Sequence, residues 1–138
     1  MLQTVKKIQF RTLGDDRGKL LALESLSEDV PFAVKRVYYI FDTMPQTVRG
    51  KHAHKRLKQL LICISGSCVI RCDLGDGKPD DYALNWPDMG LLIEGMVWRD
   101  MLQFSKGAVL LVLASEHYDE SDYIRNYDTF LKEAARGK

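Results

Sequence analysis

The stretch Arg49-Gly50-Lys51-His52-Ala53-His54-Lys55-Arg56-Leu57-Lys58-Gln59, continued by Leu60-Leu61-Ile62-Cys63-Ile64 and the turn Ser65-Gly66-Ser67, decides the fold. His52 and His54 are two residues apart, so on an extended strand both imidazoles point to one face. Leu57–Ile64 has strand length and ends in the apolar run Leu60–Ile64, and Cys68–Asp73 leads out of the turn, which predicts a hairpin. A histidine pair on one strand face has three ordinary explanations: metal ligation, acid–base work, or an incidental half-buried position.

Strand signals flank this hairpin on both sides. Lys6–Leu13 alternates, Gly18–Glu24 follows the turn Gly14-Asp15-Asp16, and Val34–Phe41 is rich in β-branched and aromatic residues. Beyond the turn Gly75–Pro79, the segments Asp81–Trp86, Gly90–Ile93, Val97–Phe104 and Ala108–Ala114 continue the series. Short strands at close spacing with turns between them predict a sandwich or barrel. The C-terminus differs. Tyr123, Ile124, Tyr127, Phe130 and Leu131 recur at three- and four-residue spacing, as on one apolar helix face. Asp119, Glu120 and Asp122 at its start and Lys132 and Arg136 at its end suit the helix dipole. This helix is expected on the outside of the β-structure. No repeat or linker divides the chain, so residues 1–138 read as one domain.

Composition excludes several classes. The 138 residues are 46% hydrophobic and 28% charged with a net charge of +1, which gives no basic excess for nucleic acid. No run approaches the roughly 20 apolar residues of a membrane helix, and MLQTVKK opens no secretory signal. Cys63, Cys68 and Cys72 form an odd cluster, as expected for reduced thiols of a cytoplasmic protein. Cys68 and Cys72 would stand about 13 Å apart on one strand, too far for a disulfide.

The order Gly-X-His-X-His, four residues, Gln59, six residues, Gly66 resembles the first motif of the cupins, in which a glutamate usually stands where Gln59 does. Glu94-Gly95-Met96-Val97-Trp98-Arg99 resembles the second motif, with Arg99 at the usual histidine position. The resemblance implies a cupin (jelly-roll) β-barrel with a C-terminal α-helix. Two of the four metal ligands of such proteins are replaced here, one by an arginine that stays protonated. Neither a metal nor any other cofactor is expected. Neutral histidines are the natural proton carriers near pH 7, which makes His52 and His54 the candidate catalytic pair. Arg49, Lys51, Arg99 and Arg17 are candidates to neutralise an anionic ligand. Tyr39 and Trp98 offer flat apolar faces for a base or sugar, or serve equally as core. Lys55, Arg56 and Lys58 read as a solvated basic edge.

The chain as a whole resembles the dTDP-4-oxo-6-deoxyglucose 3,4-ketoisomerases of surface-polysaccharide pathways. The residues that carry the resemblance are Asp16-Arg17-Gly18, Leu21–Glu24, Lys35–Asp42, Arg49–Lys55, Gly66-Ser67-Cys68, Val97-Trp98, Leu113–Ser115 and Tyr118–Arg125. The resemblance implies a dTDP-linked 4-keto-6-deoxyhexose as substrate and proton transfers by His52 and His54, with the base of the pair left open. It implies a cytoplasmic homodimer, with exchange of N-terminal strands left open, that serves biosynthesis of 3-amino-3,6-dideoxy sugars such as those of lipopolysaccharide O-antigen. It also implies that Arg17 and Arg99 line the sugar pocket and bear on the product's configuration at carbon 4. Two other readings stay open: a 3,5-epimerase, whose product keeps its ketone at carbon 4, and a nucleotide-sugar-binding cupin without turnover.

Overall fold

The computed structural model describes residues 3–136. Met1, Leu2, Gly137 and Lys138, the outer ends of the expected domain, lie outside the described residues. The strands are β1 (Thr4–Gln9), β2 (Leu13–Asp15), β3 (Gly18–Leu20), β4 (Arg36–Ile40), β5 (Arg49–His54) and β6 (Gln59–Ser65). They continue with β7 (Cys68–Asp73), β8 (Asp80–Leu84), β9 (Met89–Glu94), β10 (Trp98–Leu102) and β11 (Val109–Ala114). A 3-10 turn at Glu120–Asp122, the short β12 (Tyr123–Ile124) and the helix α1 (Tyr127–Arg136) close the chain.

The ladders form two five-stranded sheets, β1-β9-β6-β11-β4 and β12-β5-β10-β7-β8, with β2–β3 a separate hairpin. This corrects the expectation of a closed barrel: hydrogen bonding does not join the sheets into a ring. They are held by a shared core instead. Leu61, Cys63, Leu91, Ile93, Leu110 and Val112 of the first sheet meet Cys68, Ile70, Cys72, Leu84 and Met101 of the second. Burying a Leu or Ile contributes about 1.5–3 kcal/mol, whereas an exposed ion pair such as Arg71–Asp81 contributes about 0–1 kcal/mol. The sheets are therefore assembled by their apolar faces.

β6 reads as an unbroken apolar run because both its faces are covered. Leu61 and Cys63 face the other sheet, while Leu60 and Ile62 lie under Phe10, Val30 and Phe32. The latter two come from residues 21–35, which run without regular structure; the expected strand Gly18–Glu24 stops at Leu20. The turn into β7 needs glycine. Gly66 has φ +70°, and a Cβ there would sit 2.9 Å from Ala108 Cα. Cys63, Cys68 and Cys72 are buried free thiols.

The helix is shorter than its pattern predicts. Asp119 caps a 3-10 turn over Glu120–Asp122 by accepting from Ser121 N, Tyr123 and Ile124 pair with His54 and Ala53, and Asn126 then caps α1 by accepting from Thr129 N. The apparent helical face thus joins two elements. Phe130 and Ala134 do pack on the outside of the second sheet, against Ala53, Met96 and Ile124. No helix among the described residues is long and apolar enough to cross a membrane.

Candidate active site

The pairing of β5 with β10 slips between Arg99 and Asp100: Arg99 faces His52, Asp100 faces Gly50, and Lys51 is the extra residue. Gly50 at φ +85° and Lys51 at φ +56° make the bulge. A side chain on Gly50 would place its Cβ 2.9 Å from the Arg99 carbonyl oxygen, so this close approach calls for glycine. Past the bulge the strand alternates normally. Ala53 goes under α1, and His52 and His54 share the opposite face with ring centroids 4.7 Å apart.

Behind the pair lies Arg99, fully buried and, among the described residues, bonded to no carboxylate. Its Nε and Nη2 donate to the Val97 carbonyl at 3.3 and 3.0 Å, and its Nη1 donates to Gln59 Oε1. Gln59 Nε2 in turn donates to the Tyr38 hydroxyl oxygen at 2.9 Å. A buried guanidinium beside two imidazoles opposes a second positive charge. Burial first, and Arg99 next, push His52 down to about 4. Burial, Arg99 and then His52 push His54 further below the usual histidine range. Both rings are neutral at pH 7, and Nε2 of each is buried without a hydrogen-bond partner.

Asp122 holds His54 from the other side. Its Oδ1 accepts from Arg56 N at 2.8 Å, and its Oδ2 accepts from Leu57 N at 3.2 Å and lies 3.3 Å from His54 Nδ1. The last contact is close but off hydrogen-bond alignment. It favours the tautomer with the proton on Nδ1, which leaves Nε2 free to act as base. Burial and Arg99 outweigh this carboxylate, so it orients the ring rather than charging it.

Two adjoining cavities open over the pair and share Arg36, Tyr118 and Tyr123. One, of about 440 Å³, reaches His54; the other, of about 330 Å³, reaches His52 and is walled by Tyr38, Arg49 and Arg125. The Tyr123 ring lies over both imidazoles, at 5.0 and 4.3 Å between centroids. Arg125 stacks on Tyr123 at 4.2 Å and is held by a two-point ion pair with Glu120, at 2.8 and 3.0 Å. Arg36, Arg49 and Arg125 give the mouth a positive wall suited to a diphosphate.

Of the sequence candidates, His52, His54, Arg99 and Arg49 come together. Lys51 does not join the cavity wall; it stands exposed at the bulge. Tyr39 does not join the cavity wall at His52, whereas Tyr38 does. The alternation of β4 turns Arg36, Tyr38 and Ile40 toward the cavity and leaves Tyr39 61% exposed on the outer face beside Phe41. Trp98 takes the core alternative in its own chain, packed against Tyr127 and Phe130 and outside both cavities. Arg17 sits at the turn of the β2–β3 hairpin, paired with Asp15 at 2.7 Å and away from the histidines of its own chain. Sequence reading missed Tyr38, Arg36, Tyr118, Tyr123, Arg125 and Asp122. The period of two along β4 offered the first two, but apolar residues on both faces of that strand hid which set points inward. Among the described residues no three of His, Cys, Asp and Glu are grouped to hold a metal ion.

Comparison with known proteins gives a consistent set of relatives. The family model described as FdtA, WxcM-like, C-terminal, matches residues 3–135. A TDP-4-oxo-6-deoxy-alpha-D-glucose-3,4-oxoisomerase from Aneurinibacillus thermoaerophilus is 48% identical over 131 residues, 95% of this chain and 93% of that protein. QdtA, a sugar 3,4-ketoisomerase from Thermoanaerobacterium thermosaccharolyticum solved with TDP, superposes with a TM-score of 0.93 at 47% identity, over 99% of this chain and 98% of that one. A mutant of QdtA was solved with TDP-4-keto-6-deoxyglucose. WlaRB, a TDP-quinovose 3,4-ketoisomerase from Campylobacter jejuni, is 52% identical with a TM-score of 0.88, over 95% and 99% of the two chains. With a family model spanning nearly its whole length and relatives at this identity, the chain belongs to the FdtA-type, WxcM-like C-terminal family.

Proposed function

We propose that this chain is a sugar 3,4-ketoisomerase that converts dTDP-4-oxo-6-deoxy-D-glucose to a dTDP-3-oxo-6-deoxyhexose. The observation that carries the reading is the pair of neutral imidazoles, each with an unpartnered Nε2, under a cation-walled cavity. It stands in a chain about half identical to TDP-sugar 3,4-ketoisomerases. The ketone at carbon 4 acidifies the hydrogen on carbon 3. One imidazole takes that proton, an enediol forms, and a proton is delivered to carbon 4 while another passes from the carbon-3 oxygen to the carbon-4 oxygen. Atoms and electrons balance within the sugar, and no external oxidant or reductant enters. An imidazole held near pKa 4 is a weak base, but the imidazolium it forms is a strong acid and returns its proton readily. The guanidinium of Arg99 stabilises the enolate charge as it develops. Arg49, Arg36 and Arg125 are assigned to the diphosphate.

The two facing sheets support a cupin jelly roll, and the core that they share supports one domain over 1–138. A homodimer accounts for two features at once. Val37, Tyr39 and Phe41 leave an apolar stripe on the outer face of β4, and Leu13 and Leu20 are exposed on a two-stranded hairpin that no sheet supports. Such hairpins are marginal alone. Docked on a second copy, this one would present Arg17 to the partner rather than to its own chain. The free thiols and nucleotide-linked substrate fit the cytoplasm, and the 3-oxo product is the form an aminotransferase needs to make 3-amino-3,6-dideoxy sugars for surface polysaccharide.

Four outcomes are expected. His52→Asn and His54→Asn should each lower kcat by roughly 10²–10⁴ while dTDP affinity, measured by calorimetry, stays near wild type; two variants with normal turnover would make the pair structural. In a pH profile, kcat/KM should hold level as pH falls from about 8 to about 5 and drop only as His52 protonates near 4. Stability should decline below about 6.5, where the unfolded chain binds protons that the fold refuses. An acid limb at the ordinary histidine pKa would contradict the neutral pair. In sedimentation the chain should run at twice 15.8 kDa, and Tyr39→Lys with Phe41→Lys should shift it toward monomer; a monomeric wild type removes the dimer.

A further inference from the structure

The cavity over His52 is walled mostly by cationic and aromatic side chains, and among the described residues its aliphatic ones are Ile40 and Met101. Neither lines the cavity at His54. Ile40 follows Tyr38 on the inward face of β4, and Met101 follows Arg99 on β10. Both pack into the core between the sheets, and Met101 is 2% exposed. The β5–β10 register orders what lies along this wall. Arg99 faces His52, and two residues on, about 7 Å further along the strand, Met101 faces Arg49. The apolar wall thus extends from the imidazole toward an exposed cation that is assigned to the diphosphate.

A 6-deoxyhexose has the same order built into its ring. Carbon 4, which reacts, is bonded to carbon 5, which carries the methyl group. The ring oxygen joins carbon 5 to carbon 1, which carries the diphosphate. The methyl therefore stands between the reacting edge and the diphosphate, and it is the sugar's one apolar substituent. We propose that Ile40 and Met101 are the seat of carbon 6 and select 6-deoxy sugars over their 6-hydroxy counterparts. This rests on the ketoisomerase reading above and names the side chains that choose its substrate class. A methyl group gains by leaving water for this wall. A hydroxyl on carbon 6 would lose its water there and find no partner on Ile40 and only the weak thioether acceptor of Met101. The seat also orients the ring, because holding carbon 6 at Met101 brings the neighbouring carbon 4 toward His52.

The test compares two ligands by calorimetry, dTDP-6-deoxyglucose and dTDP-glucose, which differ only in the carbon-6 hydroxyl and carry no ketone to react. The wild type should bind the 6-deoxy ligand tighter by roughly 10- to 10²-fold, the range in which an apolar pocket rejects an added hydroxyl. Ile40→Thr, which puts a hydroxyl in the wall, should shrink that gap to about threefold or less while affinity for dTDP alone, the check on folding, moves less than about threefold. Ile40→Val should keep the gap. Should Ile40→Thr lose dTDP binding, Met101→Gln carries the same expectation, and the wild-type comparison decides the proposal without either variant. Equal wild-type affinity for the two ligands overturns it. A full gap that survives Ile40→Thr in a protein that still binds dTDP also overturns it, by moving the seat off this wall. A wild type that shows the gap yet leaves dTDP-4-oxo-6-deoxyglucose unconverted overturns the ketoisomerase reading and leaves the seat standing.

Discussion

The site is organised by a buried guanidinium that, among the described residues, bonds to no carboxylate. Taking a charge out of water costs several kcal/mol unless hydrogen bonds replace the lost solvent. Arg99 meets that requirement with the Val97 carbonyl and the Gln59 amide oxygen, both uncharged. Its positive field is therefore not cancelled locally and falls on its neighbours. It helps hold His52 and His54 neutral, and it fixes the Gln59 amide with its oxygen toward Arg99 and its nitrogen toward the Tyr38 hydroxyl. A carboxylate at position 59 would have quenched the field. A histidine at position 99 would have removed the fixed charge. The two departures from the metal-binding pattern work as one device.

The backbone serves this arrangement. The bulge at Gly50 and Lys51 sets the register in which His52 lies opposite Arg99. β12 then pins Tyr123 across from His54, so its ring covers both imidazoles and keeps water from their free nitrogens. Asp122 does two jobs with one carboxylate. It ties the β5–β6 connection through the Arg56 and Leu57 amides and approaches His54 Nδ1. Loss of that carboxylate would loosen a turn and free an imidazole together.

Much of this was legible in the sequence. The Gly-X-His-X-His order, Gln59 and Arg99 announced the neutral pair and its guanidinium because motif spacing survives as strand register. The parts that were not legible share a cause. Tyr38 and Tyr39 are adjacent and chemically identical, and the face each takes depends on how β4 pairs with β11, which local pattern does not state. Trp98 sits one residue before Arg99 and so points the other way, onto α1. Tyr123, Ile124 and Tyr127 mimic a helix face although a pairing partner some 70 residues earlier claims the first two. Arg17 is on an exposed hairpin, and its role depends on what that hairpin meets.

The central claim is that a neutral histidine carries a proton between carbons 3 and 4 of a bound keto-sugar. The most direct measurement is NMR of dTDP-4-oxo-6-deoxyglucose incubated with the protein in deuterated water. The account predicts that the ketone signal moves from carbon 4 to carbon 3 while the hydrogen on carbon 5 does not exchange. A ketone that stays at carbon 4, with deuterium entering carbon 3 or carbon 5, would contradict it.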